Sequence, residues 1–145
     1  MNQTTNSTIQ TALDDQLKDA GTNLLNLPSS IDDLLTLLDK VRNLLANVEQ
    51  EPSKSMHDAL LPSMKALITN ELLRHAEMDV KISVLSCITE ITRITTPDVP
   101  YGDEKMKEIF QHTVAAFENL SHVFSRYYTR LFSFLILLQR SSRSW

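Results

Sequence analysis

Residues 79–101, DVKISVLSCITEITRITTPDVPY, constrain the fold of this chain more than any other stretch. Val80, Val84, Cys87, Ile88, Ile91 and Ile94 recur at intervals of three and four, which predicts one apolar stripe along a helix. Ile82 and Leu85 add a second stripe, so the polar remainder narrows to Lys81, Ser83, Ser86, Glu90 and Arg93. A helix apolar on more than one face must be covered on more than one side, as in a bundle or a stacked helical array. The rest of the chain is therefore expected to supply flanking helices. Function is then expected from a surface rather than a pocket. The stretch ends in a turn holding two prolines, Pro97 and Pro100, which cannot continue the helix.

Composition points the same way. The 145 residues are 42% hydrophobic and 22% charged, with only two glycines and five prolines, too few for a fold built on tight turns. An all-α chain is expected. Net charge is −4, unevenly spread: the last 20 residues carry Arg126, Arg130, Arg140 and Arg143 with no acidic partner, so the body is acidic. Phosphate-driven nucleic-acid binding needs a clustered basic face, so no direct nucleic-acid contact is expected. Lys105, Lys107, Arg126 and Arg130 are read as solvated surface rather than such a face. Cys87 is the one cysteine and lies in the apolar helix, which excludes a disulfide framework and suits a reducing compartment. The opening MNQTTNSTIQ has no basic segment followed by an apolar run, so no signal peptide is expected. The apolar run 131–138 is far shorter than the roughly 20 residues of a membrane span. A soluble, non-membrane chain is the expectation.

Along the chain, residues 1–27 read as a polar N-terminal segment, partly disordered or weakly helical, with Gly21 interrupting or ending it. Ser30 is a helix cap, followed by Asp32 and Asp33 at the positive end of the dipole. Ile31, Leu34, Leu35, Leu38, Val41, Leu45 and Val48 predict a helix over 31–49. A further helix is predicted over 54–68 with Pro62 inside it, at a cost of about 3 kcal/mol unless packing accommodates the missing donor. A single turn follows at 71–75, and Asp79 caps the helix described above. Helices at 104–120 and 125–139, broken near Ser121, complete five or six in all. The final SSRSW has no periodicity and is expected to be loose.

No catalytic chemistry is legible. There is no glycine-rich phosphate loop, nucleophile elbow or metal-spaced cysteine pair. Glu108 with His112, and Glu118 with His122, stand four apart, whereas a di-metal bundle needs glutamate and histidine three apart on two helices. They are read as ordinary side-chain pairs. No enzyme, cofactor or metal is expected.

The helix pairs 54–68 with 79–95, and 104–120 with 125–139, repeat at about 50 residues, near the period of HEAT and armadillo arrays. Pro62 inside the first helix and Asp79-Val80-Lys81 opening the second also resemble a HEAT repeat, with Lys81 where arginine is usual. The stretch LLPSMKALITNELLRHAEMDVKISVLSCITEITRITTPDVPYGDEKMKEIF, followed less strongly by FENLSHVFSRYYTR, carries a sharper likeness. It resembles the N-terminal region of the cohesin-associated "precocious dissociation of sisters" family of HEAT-repeat sister chromatid cohesion proteins, closest to the plant branch. The likeness spans residues 30 to 130.

That resemblance implies a short HEAT/armadillo-like helical solenoid over 28–130 and a non-catalytic regulator of the cohesin ring in the nucleus. It also implies linked roles in DNA repair and chromosome segregation. The implied partners are the ring on its kleisin side, a releasing factor and a cohesin acetyltransferase, with chromatin reached only through them. Family members carry an Ala-Pro-Asp-Ala turn implicated in partner recruitment, and Thr96, Pro97, Asp98 and Val99 occupy the matching positions. With Pro100 and Tyr101 they form the candidate partner-binding turn: two prolines stiffen it, Asp98 offers a carboxylate, and Tyr101 an amphipathic contact. The competing reading is that the turn merely joins two repeats.

Beyond Arg130 the resemblance ends. Residues 131–145 read as a divergent apolar helix end and loose tail, as in an altered or truncated gene product. Terminal repeats normally need a polar cap. Leu131, Phe132, Phe134, Leu135, Leu137 and Leu138 are therefore expected to fold back over the open face or to mediate self-association. Two other readings thus stand beside cohesin regulation: a self-associating helical bundle or adaptor, and a truncated inactive fragment.

Overall fold

The computed structural model describes residues 2–142, and side chains within it for 12–120, 135–137 and 139. Every element among the described residues is helical: α1 (Asn2–Leu25), α2 (Ile31–Ala46), α3 (Lys54–Leu67), the single turn α4 (Asn70–Leu73), α5 (Met78–Thr95) and α6 (Asp103–Ser142). The chain is all-α, with six helical elements in a short HEAT-like helical fold. It divides into two compact units, residues 1–105 and 106–145.

In the first unit α1 packs chiefly on α3 and α2 chiefly on α5, while α1 and α2 touch along their own seam. Two helical pairs, α1/α2 and α3/α5, are thus stacked with like helix on like helix, as in an α-solenoid. The α3/α5 pair is the pair read from sequence as 54–68 with 79–95, and α1/α2 stands before it. Residues 1–27, read from sequence as partly disordered or weakly helical and interrupted or ended at Gly21, hold α1, and the interruption is what the structure corrects. α1 begins at Asn2 and runs through Gly21 without interruption, and Leu17, Ala20 and Leu24 are buried. Its polar composition hid this continuity, because only a narrow stripe meets α3.

The capping chemistry of α2 and α3 follows the sequence. Ser30 Oγ accepts from the Asp33 N–H at 3.0 Å, and Ser53 Oγ from that of Met56 at 3.2 Å. Each satisfies one donor that the first turn leaves without a partner. At α5 the cap position belongs to Glu77, whose side chain makes no cap bond. Asp79 sits inside the first turn instead of preceding it.

α5 is covered on several sides, as its two apolar stripes require. Val80, Val84, Leu85, Cys87, Ile88, Ile91 and Ile94 are buried, with α2, α3 and α4 as its neighbours. Cys87 Sγ donates to the Leu38 carbonyl at 3.5 Å. Burial pushes its thiol up to about 12, against a smaller pull from Arg42. Cys87 therefore packs as a small hydrophobe rather than as a nucleophile.

In the second unit, Phe110, Thr113, Val114 and Phe117 line one small cavity together with Leu135 and Ile136. A straight helix would hold Phe110 and Leu135 about 37 Å apart. α6 is therefore not straight, since residues 110–117 and 135–136 border the same cavity. The helix reaches Ser142, further than the loose end expected from SSRSW, of which Arg143, Ser144 and Trp145 lie outside the described residues.

Candidate partner-binding groove

Five of the six residues singled out as a partner-binding turn line one open groove of about 600 Å³: Thr96, Pro97, Asp98, Val99 and Pro100. They form one wall, at the C-terminal end of α5. Thr96 Oγ1 donates to the Thr92 carbonyl at 2.7 Å, and the Asp98 N–H to the Thr95 carbonyl at 2.9 Å. The second bond uses a carbonyl that the helix end leaves without a partner, whereas the Thr92 carbonyl also accepts the Thr96 N–H at 3.1 Å. The Thr96–Pro97 peptide is cis. Val99 is 64% exposed at the lip.

The sixth residue behaves differently. Tyr101 is not part of the lining. Its hydroxyl donates to the Met64 carbonyl at 2.7 Å, in the last turn of α3. Burial pushes its phenol above the ordinary range. Tyr101 is half-buried, and its hydroxyl ties the turn to α3.

Sequence reasoning missed the other wall and the floor. Leu60, Met64 and Ile94 form an apolar floor. Glu51, Pro52 and His57, from the α2–α3 connection and the first turns of α3, face the turn. Only a tertiary contact brings this wall to residues some 45 positions further on, and no local pattern announces it. The groove's fixed charges, Glu51 and Asp98, are both acidic, and no lysine or arginine lines it. Glu51 has φ 55°, the one positive φ among the described non-glycine residues.

Behind the groove, Arg93 joins α5 to the end of α2. Its Nη2 donates to the carbonyls of Leu45 at 3.0 Å and Val48 at 2.9 Å, and its Nε to Glu90 Oε2 at 2.9 Å. Gln50 Nε2 donates to the Arg93 carbonyl at 3.2 Å.

His112 Nε2 and Glu108 Oε2 lie 3.4 Å apart as the i,i+4 pair expected. No cluster of His, Cys, Asp or Glu among the described residues could hold a metal ion. No helix among them is long and apolar enough to cross a membrane. The side chains of His122, Arg126 and Arg130 lie outside the described residues, as do those of Leu131, Phe132, Phe134 and Leu138.

Comparison with known proteins decides the family. The profile of the sister chromatid cohesion protein PDS5 family matches residues 32–141. The chain belongs to the PDS5 family. Among its relatives in Arabidopsis thaliana, sister chromatid cohesion protein PDS5 homolog D is 57% identical over 79% of this chain and 14% of its own length. Homolog C is 49% identical over 85% of this chain and 14% of its own length. The fission yeast protein pds5 is 28% identical over 68% of this chain and 8% of its own length. The chain thus spans about a seventh or less of the PDS5 relatives it matches. No solved structure matches it significantly. The PDS5 profile continues past Arg130 to residue 141, so most of the segment read as divergent from sequence still carries the family pattern. The plant-like resemblance holds.

Proposed function

We propose that the chain is a non-catalytic, protein-binding helical-repeat module in sister chromatid cohesion, which regulates cohesin in the nucleus. The groove beneath residues 96–100 is the contact. The observation that supports this reading is the groove itself: an apolar floor between two acidic walls, with Pro97 and Val99 exposed at its lip. Such a site suits an extended protein segment that sets an apolar side chain on the floor and basic groups near Glu51 and Asp98. The cohesin ring on its kleisin side, a releasing factor and a cohesin acetyltransferase are the partners that family membership favours. Chromatin is reached through them, and the links to DNA repair and chromosome segregation follow from the same membership.

The test is capture of purified cohesin, with its kleisin subunit, by the immobilised chain. Cohesin is expected to be retained, and a Pro97→Ala, Asp98→Ala double variant to retain less. Failure of the wild-type chain to retain it removes the proposal, and equal retention by the double variant removes the groove from it. The exposure of Leu137, at 62%, favours a second reading, self-association through the 131–138 segment. Sedimentation velocity distinguishes the two, because that reading requires a dimer that Leu137→Glu dissociates.

A further inference from the structure

We propose that Arg93 is the positioning residue of the groove, a clamp that holds both walls in register without lining either. The inference rests on the groove being the partner site. Its geometry stands apart from that reading. One guanidinium nitrogen bridges the carbonyls of Leu45 and Val48 at the C-terminal end of α2, where the Leu45 carbonyl also accepts the Val48 N–H at 3.0 Å. The Arg93 carbonyl in turn holds Gln50. The α2–α3 connection is therefore pinned to α5 at residues 45, 48 and 50, immediately before Glu51 and Pro52 form the far wall. Three residues beyond Arg93, Thr96 opens the near wall.

Glu51 explains why a clamp is needed. A non-glycine residue at φ 55° is unfavourable, and the proline that follows restricts its backbone further. Such a conformation persists only where the surroundings over-determine it. Arg93 and Gln50 supply that constraint from one side, and the ring of Pro52 from the other. The Arg93–Glu90 ion pair contributes little by itself, because its side chains are 40% and 28% exposed. The weight falls on the two carbonyl bonds. Both run from one nitrogen, Nη2, whose place is set by the separate Nε bond to Glu90, and a lysine ammonium has no second nitrogen to be held in that way.

Amide hydrogen exchange on the full chain tests this, comparing wild type with Arg93→Lys and Arg93→Met. Both variants are expected to lose protection locally, in residues 47–51, while the helical core keeps its own. Unchanged exchange there, or a loss spread evenly over the core, would overturn the clamp. A thermodynamic cycle provides the second arm. Glu51→Gly is expected to raise the unfolding midpoint in the wild-type chain, where the left-handed backbone is enforced, and to do nothing in Arg93→Met. An equal gain in both backgrounds would also overturn it. Affinity for purified cohesin is expected to fall roughly two- to thirtyfold in Arg93→Met, a change in coupling rather than in contact. If Arg93→Met keeps full affinity while the Pro97→Ala, Asp98→Ala variant loses it, the positioning role is wrong and the groove reading stands. If neither variant loses affinity, the groove reading itself fails.

Discussion

Gly21 of α1 and Pro62 of α3 touch where the two helices stack. A Cβ built on Gly21 would stand 2.8 Å from Pro62 Cβ and 2.7 Å from the Ser63 backbone nitrogen. The glycine is thus required by closeness of approach rather than by its own backbone angles. It sits opposite the proline that the sequence placed inside a helix. In an exposed helix, Gly→Ala gains about 1 kcal/mol. At Gly21 the obstacle is backbone, which cannot swing aside. Gly21→Ala is expected to destabilise the chain by about 1–3 kcal/mol, the range for overpacking. Urea denaturation measures it, and a gain in stability would contradict the contact.

Ser63 makes the opposite case. Its hydroxyl is fully buried and has no hydrogen-bond partner among the described residues. A buried polar group left without a partner costs about 1–3 kcal/mol, and alanine is also the better helix former. Ser63→Ala is expected to stabilise the chain by about 1 kcal/mol in the same assay. With Gly21→Ala it forms a pair of opposite signs across one interface.

Tyr101→Phe keeps the ring and removes only the bond to the Met64 carbonyl. A loss of about 1 kcal/mol is expected. Faster amide exchange across residues 97–102 should accompany it, since the hydroxyl no longer ties the turn to α3. If exchange in the turn is unaltered, Tyr101 does not hold it.

The alkaline limb of stability follows from two buried acids. Burial raises the Cys87 thiol from 9.0 to about 12, and moves the Tyr101 phenol upward from 10.0. For both, the folded chain keeps the proton longer than the unfolded one. Their contribution is therefore complete below pH 9.0 and declines as pH rises, first for the thiol and then, above 10.0, for the phenol. Each group steepens the decline by at most about 1.4 kcal/mol per pH unit. Urea unfolding between neutrality and pH 10.5 should show the fall, and Tyr101→Phe should reduce its later part. A flat profile would place both groups in water.

Much of this chain was legible from residue spacing. The doubled stripe of residues 80–94 required a helix covered on several sides, and α5 has α2, α3 and α4 around it. Ser30 announced a helix start, because a capping hydroxyl acts within three residues of its own position. The continuity of α1 was not legible for a physical reason: Asp14, Asp15, Asp19 and the asparagines make it polar, and Gly21 looks like a stop. Glycine lowers helix propensity locally, yet the close contact with Pro62 and Ser63 needs it.

The groove divides along the same line. Sequence alone determined the near wall, since prolines and an exposed carboxylate at residues 96–100 specify a rigid turn by local backbone chemistry. It also determined the helical class and carried the family likeness. Only the tertiary structure brought Glu51, Pro52 and Leu60 opposite that turn, withdrew Tyr101 into a bond with Met64, and gave Arg93 its place at the end of α2. Those relationships join residues 37–48 positions apart. Periodicity and capping act over a few residues, whereas a guanidinium finds its carbonyls only after two helices have stacked.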